Sequence, residues 1–305
     1  MIFGLAVWGS LAGVAWVRVW FYQLAWWSYI LVVDAAVQKR AGNSLLVDRP
    51  RTLLVMVFAS ATFWFGWELV NLRVANWHYL GIPRDAWQRW PGAVIAYATV
   101  LPGVLSTYEL LTVLGLDWGS RVKPLPPGTR WYGWFLAAGV AMLGLPLIWP
   151  RIFFPLIWLA LIFLLEPLNH RWGLPSLMRS WQDGDLSPLV RLLLAGLVCG
   201  AAWESWNFLA GARWVYTIPY LNQPKLFAMP IAGYGGFAPF AVECFVFMSS
   251  LGLLRGGRGW QAADHDQPTM PTPPAWMRWA VIAAAIAFDA FMLTMIDRYL
   301  VRGWI

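Results

Sequence analysis

The sequence contains few charged residues. Charged side chains make up 12% of the 305 residues, whereas 60% are hydrophobic. Soluble domains carry about 25% charged residues, and a chain of this length needs such a share to cover its surface. A soluble fold is therefore excluded. The apolar residues run in blocks about one bilayer long, so we predict an all-α fold in the form of a polytopic membrane helix bundle.

Cysteine and histidine are also scarce. Cys199 and Cys244 are the only two cysteines, and both fall inside apolar runs, which excludes a disulfide framework and a cysteine-rich metal site. His78, His170 and His265 lie far apart in the sequence and form no pair with metal-ligand spacing. We therefore expect no metal site and no cofactor.

Positive charge is in excess, with a formal net charge of +7. The Lys and Arg residues lie in short loops between apolar runs, where anionic lipid headgroups explain them better than nucleic acid does. Expected partners are membrane lipids and other membrane proteins, with no nucleic acid. A cytoplasmic N-terminus places 13 of the 22 Lys and Arg residues on the cytoplasmic side, and a bacterial or archaeal cytoplasmic membrane is the expected location.

Nine apolar segments are predicted to span the membrane. A secretory signal peptide at the N-terminus is disfavoured, because the segment lacks a basic start and a small-residue cleavage site. The segments are 2–17, 19–37, 53–74, 93–116, 131–149, 152–165, 189–209, 226–254 and 276–296. Residues 256–274 are rich in Gly, Pro, Asp and Thr, which is typical of a flexible linker.

An internal repeat organises most of these spans. Trp67-Glu68-x-x-Asn71 recurs as Trp203-Glu204-x-x-Asn207, and an aromatic-x-Tyr pair follows each copy. An ordered series of further matches supports duplication: Trp77 and Tyr79 with Trp214 and Tyr216, Trp26 with Trp158, Asp34 with Glu166, Lys39 with Arg171, Ser44-Leu45 with Ser176-Leu177, and Glu109 with Glu243. We predict two parallel four-helix repeats, 1–118 and 119–255, then the linker 256–274 and a C-terminal transmembrane helix in 275–305.

Carboxyl groups inside apolar spans are costly and often functional. Desolvation favours the neutral form of such a group, which can then donate a proton. The catalytic candidates are Glu68, Glu109, Glu204 and Glu243, with Asn71 and Asn207 on the same helical faces as binding candidates. The alternative is that these side chains are interhelical hydrogen-bond partners of Tyr or Trp. For Asp34 and Glu166, ion pairs with Lys39 and Arg171 at the span ends are expected.

Tryptophan is abundant, with 24 residues. The substrate-binding candidates are Trp67, Trp203, Trp77, Tyr79, Trp214 and Tyr216. The π faces of Trp64 and Trp67, or of Trp203 and Trp206, would favour a nearby cation or carbocation. The alternative for the aromatic residues after each repeat motif is an interfacial belt at the membrane surface.

Part of the second half resembles a known family. The stretch 214–217 reads Trp-Val-Tyr-Thr, and 224–230 reads Pro-Lys-Leu-Phe-Ala-Met-Pro. Both stretches are similar to membrane carotenoid biosynthesis proteins of the carotenoid hydratase type, and the layout of acids and aromatics looks like that of membrane lycopene cyclases. The resemblance implies that Glu204, Glu243 and their repeat mates Glu68 and Glu109 protonate a polyene double bond. The Pro-x-Glu-Glu motif of the cyclases is absent, which argues against ring closure.

Three functions remain open from the sequence. The first is a membrane protein whose Trp-lined cavity binds a long isoprenoid or carotenoid, on which buried Glu residues perform hydration or cyclisation. The second is a non-catalytic subunit or a scaffold that binds lipid or pigment. The third is a proton- or cation-coupled transporter. Prenyl transfer is disfavoured, because Asp34 and Glu166 each stand alone where such enzymes carry paired Asp-x-x-x-Asp motifs.

Overall fold

The computed structural model describes residues 1–116, 120–124 and 131–305. The described chain is mostly helical, with four short strands. The helices are α1 (Ile2–Leu11), α2 (Ala15–Ala41), α3 (Pro50–Val74), α4 (Ala86–Tyr97), α5 (Val100–Val113), α6 (Tyr132–Ile148), α7 (Pro150–Phe153), α8 (Ile157–Arg171), α9 (Leu177–Gln182), α10 (Ser187–Leu209), α11 (Phe237–Ser250) and α12 (Ala275–Tyr299). The strands are β1 (Trp77–Leu80), β2 (Arg213–Tyr216), β3 (Lys225–Leu226) and β4 (Met229–Pro230).

Six helical stretches of the described chain are long and apolar enough to cross a membrane. They are Pro50–Val74, Ala86–Val113, Pro150–Arg171, Ser187–Leu209, Ile231–Arg255 and Ala275–Tyr299. Each exceeds the roughly 20 residues that a 30 Å hydrocarbon core requires. The prediction of an α-helical membrane protein is confirmed at this level.

The other three of the nine predicted spans differ from the prediction. The apolar run 2–17 is interrupted at Gly13, whose φ of 77° reverses the chain so that α1 packs back on α2. The 10 residues of α1 measure about 15 Å, half the thickness of the core. Helix α6 is apolar but has only 17 residues. Helix α2 is 27 residues long, but its Arg18, Asp34 and other polar residues make it less apolar than the six.

Helix α5 lies at the centre of the bundle. All ten residues from Val100 to Glu109 are buried, and the helix packs against α2, α3, α10 and α11. Close packing with α2 depends on Gly103, where an added Cβ would lie 2.6 Å from the Trp26 ring. Small residues let membrane helices approach in this way. The last helix, α12, packs mainly against α3.

A short antiparallel ribbon joins the two halves of the chain. Strands β1 and β2 pair so that Trp77 lies opposite Tyr216 and Tyr79 lies opposite Trp214. The C-terminal residues continue this small sheet on the other edge of β1, where the Tyr79 N–H donates to the Leu300 carbonyl at 2.8 Å and the Arg302 N–H donates to the Tyr79 carbonyl at 2.9 Å. The ribbon therefore joins three distant parts of the sequence.

The segment 256–274, predicted as a flexible linker, makes specific contacts with the bundle. Trp260 is fully buried. The Asp264 carboxylate accepts hydrogen bonds from the Arg51 N–H at 2.9 Å and the Thr52 hydroxyl at 2.7 Å, so it caps the first turn of α3 from a distant part of the chain. The predicted boundary between the two repeats, at 118/119, lies outside the described residues.

Candidate functional site: an aromatic cavity beside the ribbon

A cavity of about 390 Å³ lies between the ribbon, the start of α8, the end of α10 and the start of α11. Its wall is largely aromatic and includes Trp64, Trp77, Trp158, Trp203, Trp214 and Phe240. Ligand pockets typically measure about 300–1,000 Å³ and are mostly apolar. The cavity therefore has the size and the surface of a site for an apolar molecule.

The rings of the wall pack against one another. The Trp158 ring lies 6.3 Å from the Trp77 ring and 5.1 Å from the ring of Trp67, which does not itself line the cavity. On the other side, Trp203 lies 5.2 Å from Trp64 and 6.2 Å from Phe237. Aromatic pairs at these distances are attractive beyond their buried area, so the wall holds its shape without a ligand.

Glu68 organises the first half of this wall. Helix α3 ends at Ala75, which has a φ of 52°, and β1 then folds back over the last turns of the helix. Glu68 Oε1 accepts hydrogen bonds from Trp64 Nε1 at 2.8 Å, from Trp77 Nε1 at 3.1 Å and from the Tyr79 hydroxyl. One oxygen atom thereby orients three rings that line the cavity, while the carboxyl group itself is fully buried behind them.

Glu204 occupies the corresponding place at the end of α10. Its Oε1 accepts a hydrogen bond from the Tyr216 hydroxyl at 2.6 Å. Glu204 is also fully buried, and Tyr216 rather than the carboxyl group lines the cavity. The other oxygen, Oε2, has no hydrogen-bond partner among the described residues in either Glu68 or Glu204.

The two asparagines of the repeated motif hold the strands in place. The Asn71 amide donates to the Trp77 carbonyl at 2.9 Å, and its Oδ1 accepts from the Asn76 N–H at 2.9 Å. The Asn207 amide donates to the Trp214 carbonyl at 3.0 Å and accepts from the Trp214 N–H at 3.0 Å. Both side chains therefore anchor the ribbon to a helix end, and neither lines the cavity.

Both tyrosines are neutral donors to these acids. Burial, followed by the neighbouring Glu68, raises the pKa of the Tyr79 phenol well above its usual value. The pKa of Tyr216 is raised in the same way by burial and by Glu204. A phenol that keeps its proton remains a hydrogen-bond donor over the whole physiological pH range, which keeps the Glu–Tyr contacts intact.

Asp34 and Glu166 do not make the ion pairs expected for them. Asp34 accepts from the Ser44 hydroxyl at 2.8 Å and the Leu46 N–H at 3.0 Å. Glu166 accepts from the Ser176 hydroxyl at 2.6 Å and the Met178 N–H at 2.7 Å. The expected partners, Lys39 and Arg171, are exposed, and each acid instead accepts its hydrogen bonds from the loop that follows it.

Glu109 and Glu243 do not line the cavity. Glu109 forms a buried ion pair with Arg49, with its two oxygens 2.7 and 3.0 Å from the guanidinium nitrogens. Glu243 Oε1 accepts a hydrogen bond from the Leu161 N–H of α8 at 3.1 Å. Glu68 and Glu204 are therefore hydrogen-bonded to residues of the cavity wall, whereas Glu109 and Glu243 pair with residues that do not line the cavity.

Several wall residues were absent from the sequence-based candidates. Trp158 is the match of Trp26 in the predicted repeat, and this match was the feature of the sequence that could have identified Trp158 as a candidate. Phe237 and Phe240 carry no repeat signal, because their place in the wall depends on how the start of α11 packs against α10. Gly200 shows this packing, since a Cβ there would overlap the Phe237 ring.

Comparison with known proteins identifies no relative of the chain. No protein-family model, no curated protein and no solved structure gives a significant match to the chain.

Proposed function

We propose that this membrane protein binds a long apolar isoprenoid-type lipid in the 390 Å³ aromatic cavity. The main support for this proposal is the wall of the cavity, in which five tryptophans and several other aromatic rings surround a mostly apolar space. Flat π surfaces suit an unsaturated or conjugated chain, because such a chain presents a flat face to the rings. The cavity encloses only part of a carotenoid-sized molecule, so the remainder of a ligand that long would lie along the bilayer.

Acid catalysis on the bound lipid is the second part of the proposal. Glu204 and Glu68 are better candidates than Glu109 and Glu243, because their tyrosine partners line the cavity. Each of the two acids has an Oε2 atom without a donor among the described residues, as Glu243 and Glu166 also have, and such a buried oxygen is a place for a transferable proton. The surrounding rings would stabilise a carbocation formed when a double bond is protonated. The resemblance to carotenoid hydratases and lycopene cyclases points to hydration or cyclisation.

A scaffold function is the competing proposal. It is favoured by the burial of Glu68 and Glu204 behind the aromatic wall, where each accepts hydrogen bonds from Trp or Tyr, as hydrogen-bond partners between elements do. Under this proposal the cavity still binds lipid or pigment, but the acids only hold the wall in place.

We also propose that the chain arose by duplication of a four-helix unit, with the two units parallel and related by a pseudo-twofold axis through the ribbon. Three pairs of matching hydrogen bonds support this: Glu68–Tyr79 with Glu204–Tyr216, Asn71–Trp77 with Asn207–Trp214, and Asp34–Ser44 with Glu166–Ser176.

Ligand binding is tested by organic extraction of the purified protein and mass spectrometry, followed by titration with all-trans-retinol, an isoprenoid polyene.

Gly236→Phe is the blocking variant, because an added Cβ there meets only ordinary contacts with Trp158, the nearest at 3.7 Å, and the ring would enter the cavity. Gly144→Phe on α6, where a Cβ meets nothing within 4 Å, is the control. We expect Gly236→Phe to weaken retinol binding at least about tenfold, roughly 1.4 kcal/mol, and Gly144→Phe to leave it unchanged. Equal binding by both variants would refute the proposed site.

Catalysis is tested separately with Glu204→Gln. An amide keeps the size of the side chain and can still accept the Tyr216 hydrogen bond, but it cannot donate a carboxylic proton. Under acid catalysis, cells that supply polyene substrates lose the product while the purified variant still binds retinol. Unchanged product profiles in both Glu204→Gln and Glu68→Gln would leave the scaffold function.

A further inference from the structure

A second, smaller cavity of about 110 Å³ lies on the other side of the same aromatic wall. Trp64, Tyr79, Trp203 and Trp214 line both cavities. The smaller cavity is bounded by the start of α2, by α4, by the ribbon and by the C-terminal part of the chain.

The two cavities occupy corresponding places in the two halves. The larger one lies beside the start of α8, where Trp158 stacks on Trp77 of the opposite half at 6.3 Å. The smaller one lies beside the start of α2, where Tyr22 packs edge-on against Trp214 of the opposite half at 5.3 Å. In the sequence match α2 corresponds to α8, and Trp77 corresponds to Trp214. Each cavity is thus bounded by a helix start of one half and a strand tryptophan of the other.

The C-terminal segment breaks this correspondence. Leu293, Ile296, Asp297 and Val301 line the smaller cavity, and they belong to residues 275–305, which lie outside the two repeated units. None of these residues reaches the larger cavity. The C-terminal segment therefore lines only the smaller cavity, of about 110 Å³, and not the larger one, of about 390 Å³.

A polar contact of Arg89 and Trp90 with Asp297, called the clasp below, holds the C-terminal segment in this position. Arg89 Nε and Nη2 donate to the two oxygens of Asp297 at 2.9 and 2.6 Å, and Trp90 Nε1 donates to the same carboxylate at 2.8 Å. The Arg89 guanidinium also lies 5.1 Å from the centroid of the Trp304 ring. Backbone hydrogen bonds between β1 and residues 300–305 complete the contact. Bidentate Arg–carboxylate pairs of this kind are among the stronger and more directional side-chain contacts.

We propose that the smaller cavity is a second site for the same class of apolar isoprenoid ligand, kept too small for that ligand by α12 and the C-terminal residues through the Arg89–Asp297 clasp. This inference rests on the proposed function of the larger cavity. Opening the clasp changes the number of ligands bound per chain from one to two.

The test measures the retinol stoichiometry of the full-length protein in detergent. Asp297→Ala removes the carboxylate of the clasp. Asp289→Ala is the matched control, because Asp289 lies on the same helix and accepts a hydrogen bond from Thr62 at 2.9 Å, but does not line the smaller cavity. We expect one retinol per chain for the unmodified protein and for Asp289→Ala, and two for Asp297→Ala. Adding Ala93→Phe, which fills the smaller cavity, should return Asp297→Ala to one.

Opening is measured independently with Ala93→Cys, a position that lines the smaller cavity, while the native Cys199 and Cys244 are fully buried. We expect a maleimide to label this cysteine several times faster in combination with Asp297→Ala.

Faster labelling with a stoichiometry that stays at one retinol per chain would overturn the second site. Unchanged labelling would overturn the clasp as the closing device. If the unmodified protein binds no retinol but Asp297→Ala binds one, the function proposed for the larger cavity fails while the second site stands; if neither binds, both fail.

Discussion

Tyr79 and Trp214 lie directly opposite each other in the ribbon between the two halves of the chain. Tyr216 and Trp77, which match them in the predicted repeat, are paired in the same way. Each tyrosine is hydrogen-bonded to the glutamate of its own half, so each acid helps to position a ring from the other half. The cavity wall therefore depends on both halves at once. Four predictions about the acids, the packing and residues 256–274 follow from particular contacts.

The Tyr216 hydroxyl is predicted to contribute to stability through Glu204. Tyr216→Phe leaves the fully buried Glu204 without this donor, and an unsatisfied buried acceptor costs about 1–3 kcal/mol. The effect is measured as a lower midpoint of thermal unfolding in detergent. Tyr220→Phe is the control, because the Tyr220 hydroxyl donates to the Ile152 carbonyl in an exposed position, and its loss should have a much smaller effect. Equal midpoints for the two variants would contradict the role assigned to Tyr216.

Two glycines should respond oppositely to an added methyl group. Gly103→Ala on α5 places a Cβ 2.6 Å from the Trp26 ring, and such overpacking typically costs about 1–3 kcal/mol. Gly66→Ala on α3 meets nothing within 4 Å and should be neutral or stabilise the helix by up to about 1 kcal/mol. Unfolding midpoints of both variants check the pair. A stable Gly103→Ala protein would show that α2 and α5 are not as closely packed as the structure indicates.

The buried ion pair between Arg49 and Glu109 is predicted to be sensitive to the loss of one partner. Glu109→Leu leaves the Arg49 guanidinium buried without its counter-charge, which costs about 3–5 kcal/mol. The double variant Arg49→Met, Glu109→Leu removes both charges and should recover most of that loss. Midpoints of unfolding for the two single variants and the double variant form the required cycle. Additive losses would mean that the two side chains do not interact.

Docking of residues 256–274 is predicted to fail in acid. Burial alone would raise the pKa of Asp264, but the hydrogen bonds from Thr52 and from the backbone N–H of Arg51 outweigh it, and the pKa lies below its usual value. A lowered pKa in the folded state gives stability that is present above the unfolded pKa of about 3.9 and is lost as the pH falls through the folded value.

Hydrogen exchange of the backbone around residues 256–266 measures this docking. Protection should be constant above about pH 5 and should fall below about pH 4. Asp264→Asn should show weaker protection at neutral pH and little further change in acid. A parallel fall of protection in Asp264→Asn would mean that another group controls the docking.

Much of the fold could be predicted because burial in a bilayer leaves a strong pattern in the sequence. Six of the nine predicted spans are long and apolar helices in the structure. The run 2–17 misled the prediction because hydrophobicity does not reveal a chain reversal at Gly13. The pairing of Asp34 was also mispredicted, since sequence distance suggested Lys39, whereas the loop at Ser44 folds back and satisfies the acid first.

The sequence by itself determined that this is a helical membrane protein and that acids, asparagines and aromatics recur together, because both properties depend on composition and order along the chain. Only the tertiary structure decided that Glu68 and Glu204 lie behind the cavity wall while Glu109 pairs with Arg49. It also decided that the residues after α12 pair with the second edge of β1. These outcomes depend on helix packing and strand register, which bring together residues as far apart in the sequence as Arg49 and Glu109 or Trp77 and Tyr216.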